Sequence, residues 1–208
     1  PPKTQSALLQ AMEEQSVTAA GKTYKLQSPF FVLATQNPIE QEGTYMLPEA
    51  QMDRFMFELR IGYPSLEEEE EIAFRTTGQG MPEISSVVSK EELVELQGLV
   101  RRIPAPPSLI QYAVRLARAT RPTDELAPSL IRSYVSWGAG PRASQFLILG
   151  AKARAAARGS ALPTIDDVRA VAPSVLGHRV TINFEAEADG RTSDDVVREL
   201  IAETESWT

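Results

Sequence analysis

The chain has 208 residues, with 21 lysines and arginines against 28 aspartates and glutamates, and a formal net charge of −7. This acidic balance disfavours unspecific binding to nucleic acid or anionic membranes, because both need positive charge. With no cysteine and a single histidine, His178, the sequence excludes disulfide scaffolds, thiolate metal sites, cysteine nucleophiles and histidine-rich metal sites. No apolar run reaches the ~18 residues of a membrane-spanning helix, and we expect a cytoplasmic protein without a membrane span.

The first 64 residues alternate between helical and extended patterns, which is typical of an α/β unit. A continuous apolar run at 30–35 predicts a strand buried on both faces, as in a parallel sheet. The complete prediction is a helix at 2–14, a hairpin at 15–26, strands at 30–35 and 55–61, and a helical turn at 49–53 between them.

After residue 64 the pattern becomes helical to the end of the chain. Ser65 with Glu68 and Ser89 with Glu92 are spaced as capping boxes. The acidic run at 67–71 predicts a solvated helix face rather than a metal site. Further helices are indicated by apolar residues at helical spacing and by two N-cap threonines: Leu109, Tyr112, Ala113, Leu116, Ala117; Leu130, Ile131, Tyr134, Val135; Phe146, Leu149, Ala153, Ala157; Thr164, Val168, Val171, Val175; Thr192, Val196, Val197, Leu200, Ile201.

The predicted fold class is therefore α/β followed by all-α, with an α/β unit at 1–64 and a helical domain at 65–208. Two short motifs imitate nucleotide-binding elements. Gly21-Lys22-Thr23 lacks the earlier glycine of a phosphate-binding loop, because Ser16 holds that position, and it lies in the predicted hairpin. The acidic pair at 124–125 does not follow an apolar strand and predicts a polar loop. Neither motif can bind a triphosphate alone.

Four segments together resemble the MoxR family of AAA+ ATPases, and they lie in the order of that family. They are residues 2–14 (PKTQSALLQAMEE), 34–40 (ATQNPIE), 42–45 with 47–55 (EGTY and LPEAQMDRF) and 137–144 (WGAGPRAS). The resemblance implies part of a AAA+ P-loop NTPase core with a presensor hairpin, followed by a helical lid. It also implies that the phosphate-binding loop and the acidic Mg²⁺-binding strand precede residue 1.

The resemblance assigns the sensor-1 role to Asn37, which follows the predicted strand at 30–35. A neutral amide there can hydrogen-bond the attacking water or the γ-phosphate without repelling it. The carboxyl end of a parallel strand is also where open sheets bind ligands. From the local sequence alone, a turn-forming asparagine before Pro38 is an equally good interpretation.

Two arginines complete the implied catalytic and ATP-binding set. Arg54 matches the arginine finger, which stabilises charge on the γ-phosphate of a neighbouring subunit; the alternatives are a surface arginine paired with Asp53, or a finger at Arg60. Arg142 matches sensor 2, which reads a phosphate from the lid, and the alternative is a surface arginine at a helix start. His178 also matches the family, and we interpret it as a packing or capping residue.

The resemblance implies an ATPase that uses ATP and Mg²⁺, with most ligands outside this chain, and the isolated chain is expected to be inactive. It also implies a homo-oligomeric ring, a hexamer. The implied work is chaperone-like remodelling or insertion of metal cofactors into partner proteins, including von Willebrand A domain proteins. Alternatives are a magnesium-chelatase subunit, a nucleic-acid motor (disfavoured by the charge) and a non-catalytic interaction fragment. The hairpin at 15–26 either lines the ring, touches a client or simply connects.

Overall fold

The computed structural model describes residues 2–36, 47–78 and 84–207. Within these ranges the chain is rich in helices and has two small antiparallel sheets. The elements in order are α1 (Pro2–Glu14), β1 (Ser16–Ala19), β2 (Lys22–Lys25), α2 (Glu49–Met52), α3 (Leu66–Thr77), α4 (Lys90–Arg102), α5 (Pro107–Ala119), α6 (Ser129–Tyr134), β3 (Val135–Trp137), α7 (Pro141–Ala157), α8 (Ile165–Leu176), a 3₁₀ turn (Gly177–Arg179), β4 (Thr181–Ile182), α9 (Phe184–Ala188), α10 (Ser193–Glu203) and a final 3₁₀ turn (Thr204–Trp207).

The predicted hairpin is confirmed, and its turn explains its sequence. Strands β1 and β2 pair antiparallel, with Ser16 opposite Lys25 and Ala19 opposite Lys22. The two turn residues, Ala20 and Gly21, have φ angles of 49° and 76°. Two positive φ angles define the tight turn that matches the twist of a hairpin. The Gly21-Lys22-Thr23 motif is thus part of a hairpin, as predicted.

The two strands predicted at 30–35 and 55–61 are absent, which corrects the sequence prediction. Both stretches are irregular, and no described segment pairs with either of them. Phe31 and Leu33 are 75% and 82% exposed, and Ile61 is 95% exposed. A strand of a parallel sheet needs neighbours that complete its hydrogen bonds and cover both faces. The described residues supply no such neighbours to these two apolar runs.

The helix starts follow the predicted caps. Capping boxes are present at Ser65, Ser89, Thr164 and Thr192, each closed by an acidic side chain three residues later. The acidic run of α3 is exposed, as predicted. These starts are determined locally, because the capping side chain and the amide that it accepts from lie within one turn.

The core lies among α5, α6, α7, α8 and α10. The predicted apolar stripes of α5, α8 and α10 face the core, with Val171 and Ile201 partly buried, whereas the face predicted for α7 is wrong at two of its four positions. Ala153 and Ala157 are exposed, whereas the buried face of α7 carries Ala143, Leu147, Gly150, Ala151 and Ala155. Alanine on every side of this helix leaves little contrast between its faces, so the sequence pattern did not define the buried one.

Three short elements of the second half were not predicted. Strand β3 follows α6 directly and pairs with β4, and α9 comes soon after β4. Asn183 caps α9 by accepting a hydrogen bond from the amide of Ala186. Across the described ranges, no helix combines the length and apolar character needed to span a membrane.

Candidate functional site

Arg54 lies just after the single turn of α2, where the backbone leaves the helix. Its amide donates to the carbonyl of Gln51 at 3.2 Å, which fixes the turn. The guanidinium lies against the carboxylate of Glu13, near the end of α1, and the side chain is 24% exposed. Arg54 Nε is buried without a hydrogen-bond partner among the described residues. A buried donor without an acceptor is costly, so this side of the guanidinium suits an added anion.

Arg142 reaches the same carboxylate from the first turn of α7. Its Nη2 lies 3.5 Å from Glu13 Oε1, and its Nη1 lies 3.2 Å from Asp53 Oδ2. Arg54 contacts that same Oε1 atom. The two predicted site arginines, 88 positions apart in the sequence, therefore share one carboxylate oxygen in the folded chain.

The two arginines line an open cleft of about 350 Å³ together with Met12, Glu13 and Phe146. Each guanidinium offers several N–H donors in a fixed plane, an arrangement that matches the oxygens of a carboxylate or a phosphate. Glu13 at present provides the anion that both arginines contact. Chemically, the cleft can bind a phosphate group between two cations.

The turn that leads into α7 has one position where only glycine fits. A Cβ atom on Gly138 would lie 2.3 Å from the carbonyl oxygen of Thr120, so the backbone approaches too closely for any side chain. The Thr120 hydroxyl accepts from the Ala139 amide at 2.9 Å, and Arg121 donates to the Ala139 carbonyl. Gly140, by contrast, has open space around it. The close approach at Gly138 fixes where α7, and with it Arg142, begins.

Asp53 connects this cleft to a buried arginine, Arg179, that was not among the residues predicted from the sequence. Its Oδ1 accepts from Arg179 Nε at 2.9 Å, while its Oδ2 faces Arg142. The side chain of Arg179 is 1% exposed. Burial lowers the pKa of Arg179, and the hydrogen bond to Asp53 opposes that change. A charged residue between the apolar Leu176 and Val180 was the available sequence signal.

His178 lies beside Arg179 and contacts the segment that carries Arg54. Its Nε2 is 3.1 Å from the carbonyl oxygen of Phe55; a carbonyl only accepts, so Nε2 carries the proton. Its Nδ1 is buried and has no hydrogen-bond partner among the described residues. Burial, and then the charge of Arg179, lower the pKa of His178 to about 4. His178 is therefore neutral at pH 7.

The structure thus brings Arg54 and Arg142 together, while Asn37 lies outside the described residues. Arg54 contacts Glu13 rather than Asp53. Asp53 pairs with Arg142 and Arg179 instead, and Arg60 is directed to Asp194 of α10 at 3.1 Å. Within the described ranges there is no cluster of three or more acidic or histidine side chains suited to a metal, and we assign no magnesium ligand to them.

Known families match both halves of this architecture. Residues 1–57 match the profile of the ATPase family associated with various cellular activities, and residues 127–200 match the AAA lid domain. A candidate ATPase from Cytophaga hutchinsonii, known from its crystal structure, superposes with a TM-score of 0.90 at 38% identity; the match covers 97% of this chain and 62% of that one. Fold and matches define the class as a AAA+ protein with part of the ATPase core and a lid.

Two similar proteins show to which family within the AAA+ class the chain belongs. Chaperone MoxR1 of Mycobacterium tuberculosis is 42% identical over 201 residues, covering 97% of this chain and 53% of that protein. The protein YeaC of Bacillus subtilis is also 42% identical, over 202 residues, covering 97% and 60%. The chain belongs to the MoxR family of AAA+ ATPases, and it spans a little over half the length of these relatives.

Proposed function

We propose that Arg54 and Arg142 act together on the γ-phosphate of ATP, as arginine finger and sensor 2 of a MoxR-type ATPase. The observation that carries this proposal is their convergence on the single oxygen Glu13 Oε1. A carboxylate contacted by two guanidinium groups occupies the place that a phosphate oxygen would take. The unpaired, buried Nε of Arg54 supplies a further donor for such an anion.

The two arginines have distinct tasks in this proposal. Arg54 projects from a loop and stabilises the charge that builds up on the transferred phosphoryl group, the task for which a fixed guanidinium is suited. Arg142 comes from the first turn of α7 and connects phosphate binding to the position of the lid. Glu13 is the internal counter-ion that keeps both side chains in place until the phosphate replaces it.

The site is incomplete without further residues, because the described ones offer no loop that cradles a triphosphate. We therefore propose that ATP and Mg²⁺ are held mainly by other parts of the full-length protein, and that Arg54 and Arg142 both serve the nucleotide of a neighbouring subunit in a homo-oligomeric ring, a hexamer. Bound Mg·ATP supplies the phosphoanhydride bond whose hydrolysis drives the conformational work. Asn37 is proposed as the residue that orients water.

The division of the chain at residue 64 and the cytoplasmic location stay predictions.

We further propose that the work of this ATPase is chaperone-like remodelling of partner proteins, including metal-cofactor insertion and partners with von Willebrand A domains. The support is the similarity to a protein named as a chaperone, MoxR1 of Mycobacterium tuberculosis. A pull-down of the full-length protein with ATP bound, followed by identification of the captured proteins, tests this part. Capture of a partner in the ATP-bound state and its release on hydrolysis is the expected result, and equal capture with and without nucleotide contradicts it.

The direct test of the proposed activity is ATP turnover by Arg54→Ala in the full-length protein. Loss of an arginine finger lowers the turnover rate by roughly 10³–10⁵ in related NTPases, and ATP binding should survive. Arg60→Ala is the matched control, because Arg60 is nearby in sequence, half exposed and directed to Asp194. Unchanged turnover in Arg54→Ala, or an equal loss in both variants, would refute the finger assignment.

A further inference from the structure

All three guanidinium nitrogens of Arg179 donate hydrogen bonds to the segment that carries Arg54. Its Nε donates to Asp53 Oδ1 at 2.9 Å and its Nη2 donates to the carbonyl of Asp53 at 2.6 Å. Nη2 also donates to the carbonyl of Phe55, and Nη1 donates to the carbonyls of Met56 and Val175. One buried guanidinium thus binds three backbone carbonyls within residues 53–56 and anchors them to the end of α8.

These bonds replace secondary structure that the segment lacks. Residues 53–56 follow α2 as turns and bends, so their carbonyls have no helix or strand partners. Buried carbonyls need donors, and the five N–H groups of an arginine can serve several of them at once. The positive charge is matched by Asp53, which makes the arrangement more favourable than one neutral donor would.

Other contacts with the helical domain lie on either side of Arg54. His178 donates to the carbonyl of Phe55, and the amide of Glu58 donates to the carbonyl of Ser174 at 2.8 Å. Asp53 also faces Arg142. The backbone of the segment is therefore held by α8 and the turn after α8. Arg142 of α7 holds only the side chain of Asp53, and the side chain of Arg54 lies against Glu13.

We propose that Arg179 is a positioning residue that fixes the Asp53–Met56 loop to the lid, so that Arg54 moves with the lid as one unit. A shift of the lid then changes the position of Arg54 at the neighbouring nucleotide. This connects the state of one subunit's lid to the catalytic rate at the adjacent site. The inference rests on the proposed function, because it requires Arg54 to act on ATP.

The test uses Arg179→Lys in the full-length protein. Lysine keeps the charge but loses the planar set of donors. Since a misplacement of about 1 Å can cost roughly 10²-fold in rate, the turnover rate should fall about 10²-fold while the KM for ATP changes little. Arg191→Lys is the matched control, because Arg191 forms an ordinary ion pair with Glu199 at the surface. Asp53→Asn is a second variant that weakens the same contact without burying a new group.

A double variant separates a positioning role of Arg179 from a general role in the stability of the fold. If Arg179 acts through Arg54, adding Arg179→Lys to Arg54→Ala should lower turnover no further. If Arg179 only supports the fold, the two losses should multiply, and that result overturns the proposal. A loss of turnover in Arg191→Lys equal to that in Arg179→Lys overturns it as well.

Hydrogen exchange separates this inference from the proposed function. In Arg179→Lys and in Asp53→Asn, the Glu58 amide and the amides of 54–56 should exchange about tenfold faster or more than in the unaltered protein. Unchanged exchange in both variants overturns the positioning role whatever the ATPase assay shows. If exchange rises as expected but Arg54→Ala turns over ATP normally, the arginine-finger assignment is wrong. The proposed link from the lid to catalysis is then wrong as well, but the attachment of residues 53–56 to Arg179 is still supported.

Discussion

His178 should make the stability of the fold depend on pH, because its pKa in the folded chain is lowered from 6.5 to about 4. In the unfolded chain the imidazole binds a proton near pH 6.5, whereas in the folded chain it stays neutral until about pH 4. Between these values the unfolded state binds more protons, so the free energy of unfolding falls as the pH falls. The stability that the lowered pKa of His178 gives to the fold is fully present above pH 6.5. Linkage gives a loss of about 2 kcal/mol at pH 5 and about 3 kcal/mol at pH 4.

The assay is urea unfolding of the chain and of His178→Gln at several pH values from 7 to 4. Glutamine keeps an N–H donor for the carbonyl of Phe55 but does not titrate. The difference in unfolding free energy between the two proteins cancels the other titrating groups. The unaltered chain should lose stability relative to the variant by the amounts above. Parallel pH profiles would mean that His178 has the same pKa in the folded and unfolded chain, which contradicts the prediction.

Two further predictions concern the backbone. Gly138→Ala should destabilise the chain by several kcal/mol, since its Cβ would clash with the Thr120 carbonyl. Gly140→Ala has open space around it and should cost only about 1 kcal/mol or less, because Gly140 is the N-cap of α7, where alanine is disfavoured. Similar denaturation midpoints for the two variants would contradict the close approach at Gly138. Thr164→Ala should cost about 1 kcal/mol or more by removing a cap. It should cost more than Thr192→Ala, because the acidic partner of Thr164 is buried, and equal losses would argue against this ranking.

The features predicted correctly are those determined within a few residues of sequence. The capping boxes, the hairpin turn at Ala20-Gly21 and the apolar stripe of α5 depend on neighbours in the same turn or helix. The predicted strand at 30–35 depends on distant partners, and no described segment provides them. On α7, alanine at buried Ala143 and at exposed Ala153 looks the same in the sequence. Tertiary packing alone distinguishes these two positions.

The sequence could suggest only part of the candidate site, for the same reason. Arg54 and Arg142 were found through a resemblance in sequence segments, which carries no information about distance. Their shared partner Glu13 and the buried Arg179 were missed, because the contact between Arg179 and Asp53 spans 126 positions. A charged residue in an apolar run signals that a buried partner exists but does not say which one it is.

In the proposed function, Arg54 and Arg142 bind one phosphate in place of Glu13. The most direct measurement is the distance from each guanidinium to the γ-phosphate in a structure of the full-length protein with a non-hydrolysable ATP analogue and Mg²⁺. We predict that both arginines lie within about 3 Å of oxygens of the same γ-phosphate and that neither still contacts Glu13. Guanidinium groups on two different nucleotides, or both still on Glu13 with the phosphate elsewhere, would show that the two arginines do not share a phosphate.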